Sequence, residues 1–153
     1  MSVILPIAAW AECNAAHVDL RGDWGQARFS VEVVDTPETR AQGLMFRESM
    51  AQSAGMLFVY QSAQAPTFWM RNTLIPLDMV FARPDGVVQH VHPEAVPLDE
   101  ETHISGGEGI LVVLEINGGV AARFGIAPGT EMRHPAFGAD AAWPCPTTDA
   151  TGG

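Results

Sequence analysis

The chain has 153 residues, 47% of them apolar, and its 18 acidic residues outnumber its 8 basic residues to give a formal net charge of −10. This length and composition are typical of one globular domain with a sizeable core. The acidic balance, with no lysine at all, argues against nucleic acid and against anionic membranes as partners, because both bind basic surfaces.

The N-terminal segment predicts export. Val3–Ala11 (VILPIAAWA) is apolar but much shorter than the roughly 20 residues that span a bilayer. Ala9–Ala11 fits the small-x-small pattern cleaved by signal peptidase. We therefore interpret residues 1–11 as a signal-peptide remnant, with a mature chain that starts at Glu12, lies in the periplasm or is otherwise exported, and is not inserted in the membrane. The alternative is a buried first strand.

The first half of the mature chain shows strand and helix patterns. Arg28–Val34 (RFSVEVV) alternates apolar and polar residues, which predicts a strand. Asp35 or Thr36 is expected to cap a helix of about two turns that ends at Gly43. Gly55–Tyr60 (GMLFVY) is an apolar run of strand length.

The second half adds more short strands. They are predicted at Thr67–Arg71, Leu77–Arg83, Val87–His92, Gly109–Ile116 and Thr130–Arg133. Pro84–Gly86 is expected to form a hairpin turn, and Val120–Phe124 a short helix after the turn Asn117–Gly119. Many short strands with two brief helices predict a mainly β (α+β) fold, a compact sandwich or barrel.

The two cysteines, Cys13 and Cys145, lie near opposite ends of the chain. In an exported protein this arrangement predicts a disulfide that joins the termini. Two free thiols are the alternative.

Three sequence runs resemble one protein family. They are TPETRAQGLMFRESM, GMLFVY followed by FWMRNTLIPLDMVF, and VLEINGGVAARFGIAPG. Over Val31–His134, their order and spacing resemble the DUF192 family, also called UPF0127. The resemblance implies a single compact domain of jelly-roll-like character, here residues 12–146 followed by a flexible tail at 147–153. It also supports export, but it implies little about function because the family has no established activity.

Four charged residues lie in or beside apolar segments: Arg47, Arg71, Asp78 and Glu115. A buried charge without a partner is unfavourable by several kcal/mol. We therefore expect the two cations and two anions to meet in one balanced ion cluster at a cavity.

The same region contains groups suited to a ligand. Trp69 offers an aromatic wall, and Asn72 and Thr73 offer hydrogen-bonding groups on a turn. An arginine fork binds carboxylates, phosphates or vicinal hydroxyls. The leading hypothesis is a protein that binds a small polar or anionic ligand, such as a sugar or metabolite. Its predicted site is formed by Arg47, Trp69, Arg71, Asn72, Thr73, Asp78 and Glu115.

Two other classes of function stay open. An envelope hydrolase would use Asp78 and Glu115 as a pair of carboxyl groups across a scissile sugar bond. A structural or interaction module would use the ion cluster only to fix strand register. The residues favour binding over catalysis, and no catalytic residue is assigned.

A metal site is not favoured. His90 and His92 share a face of the predicted strand, and His103 or His134 would have to supply a third ligand. A His-x-His pair alone is a loose pattern, since zinc sites use three or four protein ligands. We expect neither a metal nor a cofactor.

Overall fold

The computed structural model describes residues 13–146. The predicted signal-peptide remnant at 1–11 and the predicted tail at 147–153 lie outside the described residues. The strands are β1 His17–Gly22, β2 Gly25–Val34, β3 Ala54–Gln64, β4 Thr67–Phe68, β5 Leu77–Ala82, β6 Val88–Ala95, β7 Ile104–Ser105, β8 Ile110–Asn117 and β9 Glu131–Arg133. The helices of this range are α1 Pro37–Gln42 and α2 Val120–Phe124.

Most of the strands form one curled sheet. Within residues 13–146 this sheet has seven strands in the order β6-β5-β8-β3-β2-β1-β9, and β4 pairs with β7 separately. Neighbouring strands are antiparallel except β2 and β3, which are parallel and are connected through α1. The two edges meet where Val87 bridges Glu131 and the Val88 N–H donates to the Thr130 carbonyl at 2.8 Å. This contact curls the sheet into a half-barrel.

The sheet separates two hydrophobic clusters. The enclosed cluster receives side chains from all seven strands of the sheet and from α2, including Leu57, Val80 and Leu114. The outer cluster includes Phe58 and Met79 and lies under α1, the following loop and the β4–β7 pair. Because side chains alternate along a strand, Val80 and Phe81 of β5 belong to different clusters, as do Val113 and Leu114 of β8.

Local chemistry sets the bounds of α1. The Thr36 hydroxyl accepts a hydrogen bond from the Thr39 N–H at 3.1 Å, which caps the first turn. Gly43 ends the helix with φ of 49° and ψ of −133°, a backbone region that only glycine adopts without strain. A Cβ atom there would also lie 3.3 Å from the Phe58 ring. The helix therefore ends where the chain passes over Phe58.

The mainly β fold with two short helices is confirmed over the described range, as a curled half-barrel sheet. The predicted hairpin at Pro84–Gly86 is present, and the Arg83 N–H donates to the Val87 carbonyl. The strand predicted at Thr67–Arg71 is wrong beyond Phe68, because Met70 donates to the Asp99 carbonyl and begins a turn. Strands β1 and β7 were not predicted.

The predicted disulfide is present between Cys13 and Cys145, whose Cα atoms are 5.7 Å apart. It closes a loop of 132 residues and leaves no free cysteine in the described part of the chain. Among residues 13–146 no helix is long and apolar enough to cross a membrane.

Candidate functional site

The predicted four-charge cluster does not form. Arg47 makes an exposed ion pair with Glu32. Arg71 pairs with Glu100 at 3.6 Å, and its guanidinium lies 5.4 Å from the centroid of the Trp69 ring. The partners of both arginines, Glu32 and Glu100, were not among the predicted cluster residues. The arginine side chains are long enough to reach these acids at the surface. The expected cluster is therefore corrected to two separate surface pairs.

Asp78 is fully buried but needs no cation. Its carboxylate accepts the N–H groups of Glu94 at 2.8 Å, Gly119 at 3.1 Å and Ala121 at 2.8 Å. Three backbone donors satisfy a buried carboxylate as well as an arginine would. Asp78 thus fastens the turn before α2 and the end of β6 to the central sheet.

Asp78 and Glu115 do not face each other. In the pairing of β5 with β8, Asp78 lies opposite Ile116, whereas Glu115 lies opposite Met79. Met79 belongs to the outer cluster and Ile116 to the enclosed one. The two carboxyl groups therefore point to opposite faces of the sheet, and the pair required by the hydrolase hypothesis is not assembled.

A pocket of about 230 Å³ lies between α1 and the outer face of the sheet. We call it the α1 pocket. Its aromatic walls are Phe58, Tyr60, Phe68 and Trp69, and its polar lining groups are Arg40, Gln42, Thr67, Thr73 and Glu115. Phe58 and Phe68 pack edge to face, with ring centroids 5.2 Å apart. The remaining lining comes from α1 and from the loop that follows it.

Glu115 lies on β8 between two buried methionines, Met56 of β3 and Met79 of β5. It is only 4% exposed, and its carboxyl group has no hydrogen bond or ion pair among the described residues. Every fully enclosed side-chain nitrogen or oxygen atom of the described chain has a hydrogen-bond partner, so the unpaired carboxyl must open into the pocket. Burial raises the pKa of Glu115 to about 8, and most of these groups are protonated at neutral pH.

Arg40 and Tyr60 also line the pocket and contact each other. The Arg40 guanidinium lies 4.7 Å from the Tyr60 ring centroid and donates from Nη1 to the Val59 carbonyl at 3.0 Å. Within residues 13–146 it has no carboxylate partner. Burial raises the pKa of Tyr60, the Arg40 charge opposes that rise and the Glu115 charge adds to it. The phenol and the guanidinium therefore both present hydrogen-bond donors.

The other predicted site residues divide between the pocket and its surroundings. Trp69 and Thr73 line the pocket, and the Thr73 hydroxyl donates to the Arg71 carbonyl at 3.1 Å. Asn72 adopts a positive φ of 54°, and its carbonyl accepts the Phe46 N–H at 2.8 Å. The pocket thus receives Trp69, Thr73 and Glu115, whereas Arg47, Arg71, Asn72 and Asp78 do not line it.

Two other depressions contain charged side chains that are paired with each other. One of about 680 Å³ lies at the β1–β2 turn, and its charged lining includes Arg21 and Glu131, which form an ion pair with each other. Arg47 and Glu32 lie in a third depression, where they bind each other. No group of three or more His, Cys, Asp or Glu side chains in the described range is placed to hold a metal ion.

Sequence reasoning missed Arg40 and Tyr60. Arg40 lies in the last turn of α1, where a basic residue is readily explained by the helix dipole. Tyr60 is the only tyrosine of the chain and ends the apolar run GMLFVY. A lone phenol at the end of a buried strand was the available signal. Its proximity to Glu115 depends on the register of β3 against β8.

Known proteins place the chain in a family. The model of DUF192, described as "Uncharacterized ACR", matches residues 18–134. A crystal structure from Novosphingobium aromaticivorans, of a protein of unknown function, is 39% identical with a TM-score of 0.75, covering 85% of this chain and 90% of the other.

A second crystal structure, from Sinorhizobium meliloti, is described as that of a candidate transcription regulator. It is 38% identical with a TM-score of 0.72, covering 76% of this chain and 90% of that one. No curated protein matches the chain. The family match spans most of the residues described by the structure, and the chain therefore belongs to the DUF192 family.

Proposed function

We propose that this chain is a binding protein that holds a small polar ligand in the α1 pocket. The observation that carries the proposal is Glu115, a buried carboxyl group with no hydrogen-bond partner among the described residues. It opens into a cavity with aromatic walls and with Arg40, which has no carboxylate partner in the same range. Apolar walls with a few convergent polar groups are the usual form of a small-molecule site.

A purely structural role explains Glu115 less well. A buried polar or charged group with a structural role is normally hydrogen-bonded or paired, because burying it without a partner destabilises the fold. Asp78 follows that rule, with three backbone donors. Glu115 has no such partner among the described residues, so its position in the core is better explained by a partner that comes from solution.

Catalysis is less well supported than binding. The lining of the pocket contains one carboxyl group, Glu115, and neither a histidine nor a second acidic residue. Acid–base hydrolysis of a sugar bond uses two carboxyl groups on the two sides of the bond. With Asp78 on the other face of the sheet, we propose a binding protein rather than a hydrolase.

Nucleic acid is not the proposed partner. The name given to the Sinorhizobium meliloti protein concerns that protein, whereas this chain has a net charge of −10 and no lysine. Such a balance repels a phosphate backbone at long range.

Export of the chain is part of the proposal. The disulfide between Cys13 and Cys145 supports it, since disulfides persist in oxidising compartments. Expression of the full chain in a bacterium, followed by fractionation and N-terminal sequencing, tests it. We expect a periplasmic product that begins at Glu12, and a cytoplasmic product with Val3–Ala11 intact would contradict export.

The binding proposal is tested by a thermal-shift screen of sugars, organic acids and amines. A ligand at 100 times its dissociation constant stabilises the native state by about 2.7 kcal/mol. Hits should lose their effect in Trp69→Ala and keep it in the control Arg47→Ala, whose side chain lies outside the pocket. Hits that survive Trp69→Ala would place binding elsewhere.

A further inference from the structure

The hydrogen-bond inventory of the α1 pocket points to the class of its ligand; this step rests on the proposed binding function. Arg40 uses Nη1 on the Val59 carbonyl, and its other N–H groups have no acceptor among the described residues. The Thr73 hydroxyl already donates to a backbone carbonyl. The pocket therefore offers a fixed positive charge that no carboxylate of residues 13–146 neutralises.

Two further lining groups, Glu115 and Tyr60, also present donors at neutral pH, whereas Gln42 and Thr67 can donate or accept. The Glu115 carboxyl lies between Met56 and Met79 with no cation within ion-pair distance in the described chain. Burial raises its pKa to about 8, so it presents an O–H group. Burial likewise raises the pKa of Tyr60, which keeps the phenol protonated. Because the charge of Arg40 has no carboxylate partner in the described chain, and Glu115 and Tyr60 donate beside it, the set favours an acceptor with a negative charge.

A cationic ligand fits less well. Aromatic walls beside a carboxyl group can hold an ammonium ion, but the Arg40 guanidinium already lies 4.7 Å from the Tyr60 ring centroid. A second cation in the same small space would be repelled by Arg40. A neutral sugar would not neutralise the positive charge of Arg40.

The walls and the volume limit the body of the ligand. Phe58, Phe68 and Trp69 line the pocket with aromatic surface. The volume of about 230 Å³ lies below the roughly 300–1,000 Å³ of sites for drug-sized molecules. One ring or one branched chain is therefore the expected size.

We infer that the α1 pocket binds a small organic carboxylate with an apolar body, its charge held by Arg40 and one oxygen accepting the O–H of Glu115. Binding of the anion and protonation of Glu115 are therefore coupled, so that each favours the other. Ionised Glu115 would place a negative charge against the ligand, so binding weakens as pH rises through the pKa of Glu115.

Few other charged groups face Glu115. Arg40 approaches from α1 and Tyr60 from β3, while Asp78 of β5 points to the opposite face. His92 of β6 lies two strands away, opposite Met79, and burial lowers its pKa below the usual 6.5. His92 is therefore neutral on both sides of the pH range in which Glu115 ionises.

Three probes with the same ring separate the classes of ligand: benzoate, benzamide and benzylamine, which is cationic at neutral pH. Titrations near pH 7, followed by amide and methyl NMR shifts, should show benzoate binding about tenfold more tightly than either other probe, since a charge-assisted hydrogen bond is roughly twice as strong as a neutral one. Equal or tighter binding of benzamide or benzylamine overturns the carboxylate inference and leaves pocket binding intact. Binding by none of the three overturns both.

Two variants test the roles of the polar groups. Between about pH 7 and pH 9.5, the affinity of the wild type for benzoate should fall by about tenfold or more, because one proton is linked to binding. Glu115→Gln keeps a donor and should bind benzoate with a flat pH profile. Arg40→Gln should lose the preference for benzoate over benzamide, and Arg47→Ala should keep it. A pH profile of Glu115→Gln that matches the wild type would overturn the proton linkage.

Discussion

Asp78 and Glu115 lie on adjacent strands of one sheet and point to its two opposite faces. Asp78 meets three backbone N–H groups, and Glu115 meets an open pocket. Two carboxyl groups that look alike in sequence therefore have different physical roles. Asp78 stabilises the fold. Glu115 destabilises it, but its carboxyl group is open to the pocket.

Replacement of Asp78 tests its structural role. Asp78→Ala leaves the N–H groups of Glu94, Gly119 and Ala121 without their acceptor, and should lower the free energy of unfolding by about 3–5 kcal/mol. Urea denaturation followed by circular dichroism measures this change. Asp85→Ala, in the half-exposed hairpin turn, is the matched control and should have a much smaller effect. Equal effects would mean that the three backbone bonds add little.

The pH dependence of stability tests Glu115. Its pKa is raised from 4.5 to about 8 in the native state, so the native state binds more protons than the unfolded state between these values. Stability is therefore greatest below the unfolded pKa and is lost as pH rises through the native pKa, by about 3–5 kcal/mol in total.

Glu115→Gln isolates this effect, because the amide does not ionise. The variant and the wild type should show similar free energies of unfolding near pH 4. As pH rises to about 9, the variant should become increasingly more stable than the wild type. Urea denaturation across this range gives the difference directly. A constant difference at all pH values would show that Glu115 ionises normally.

The disulfide should contribute strongly to stability. In the chain-entropy model, a closed loop of 132 residues stabilises by about 5 kcal/mol. We expect a reducing agent to lower the melting temperature of the wild type and to leave the double variant Cys13→Ser/Cys145→Ser unchanged. If the reduced and the oxidised wild type have the same melting temperature, the disulfide does not restrain the unfolded chain.

Two ion pairs should differ greatly in their effect. Arg47 and Glu32 are 39% and 59% exposed at the side chain, so Arg47→Ala should change stability by less than about 1 kcal/mol. Asp19 is buried and binds both Arg28 and Arg133, so Asp19→Ala should destabilise by about 3–5 kcal/mol. Denaturant midpoints measure both changes. A larger loss of stability in Arg47→Ala than in Asp19→Ala would contradict this prediction.

Elements governed by local chemistry were predictable from the sequence. The cap at Thr36 and the end at Gly43 fixed the bounds of α1 to within a residue. The helix at Val120–Phe124 followed from the turn that precedes it. The strand expected through Arg71 was wrong because a distant residue, Asp99, bonds to Met70 and turns the chain.

The site was predictable only in part. Periodicity correctly placed Glu115 and Asp78 on apolar segments, and both are buried. It did not reveal their partners, since Arg71 pairs with Glu100 and Arg47 with Glu32 at the surface. Arg40 and Tyr60 reach the pocket through α1 packing and the β3–β8 register, which no local pattern encodes.

The floor and the roof of the α1 pocket differ in how freely they can change. The floor includes Glu115 on β8, a strand bonded on both sides by β5 and β3. The roof includes α1, a helix of six residues of which none is buried. Substitutions in the roof can therefore reshape the entrance without disturbing the sheet. On the proposed binding function, a change in α1 alters which ligand the pocket accepts while Glu115 beneath it stays in place.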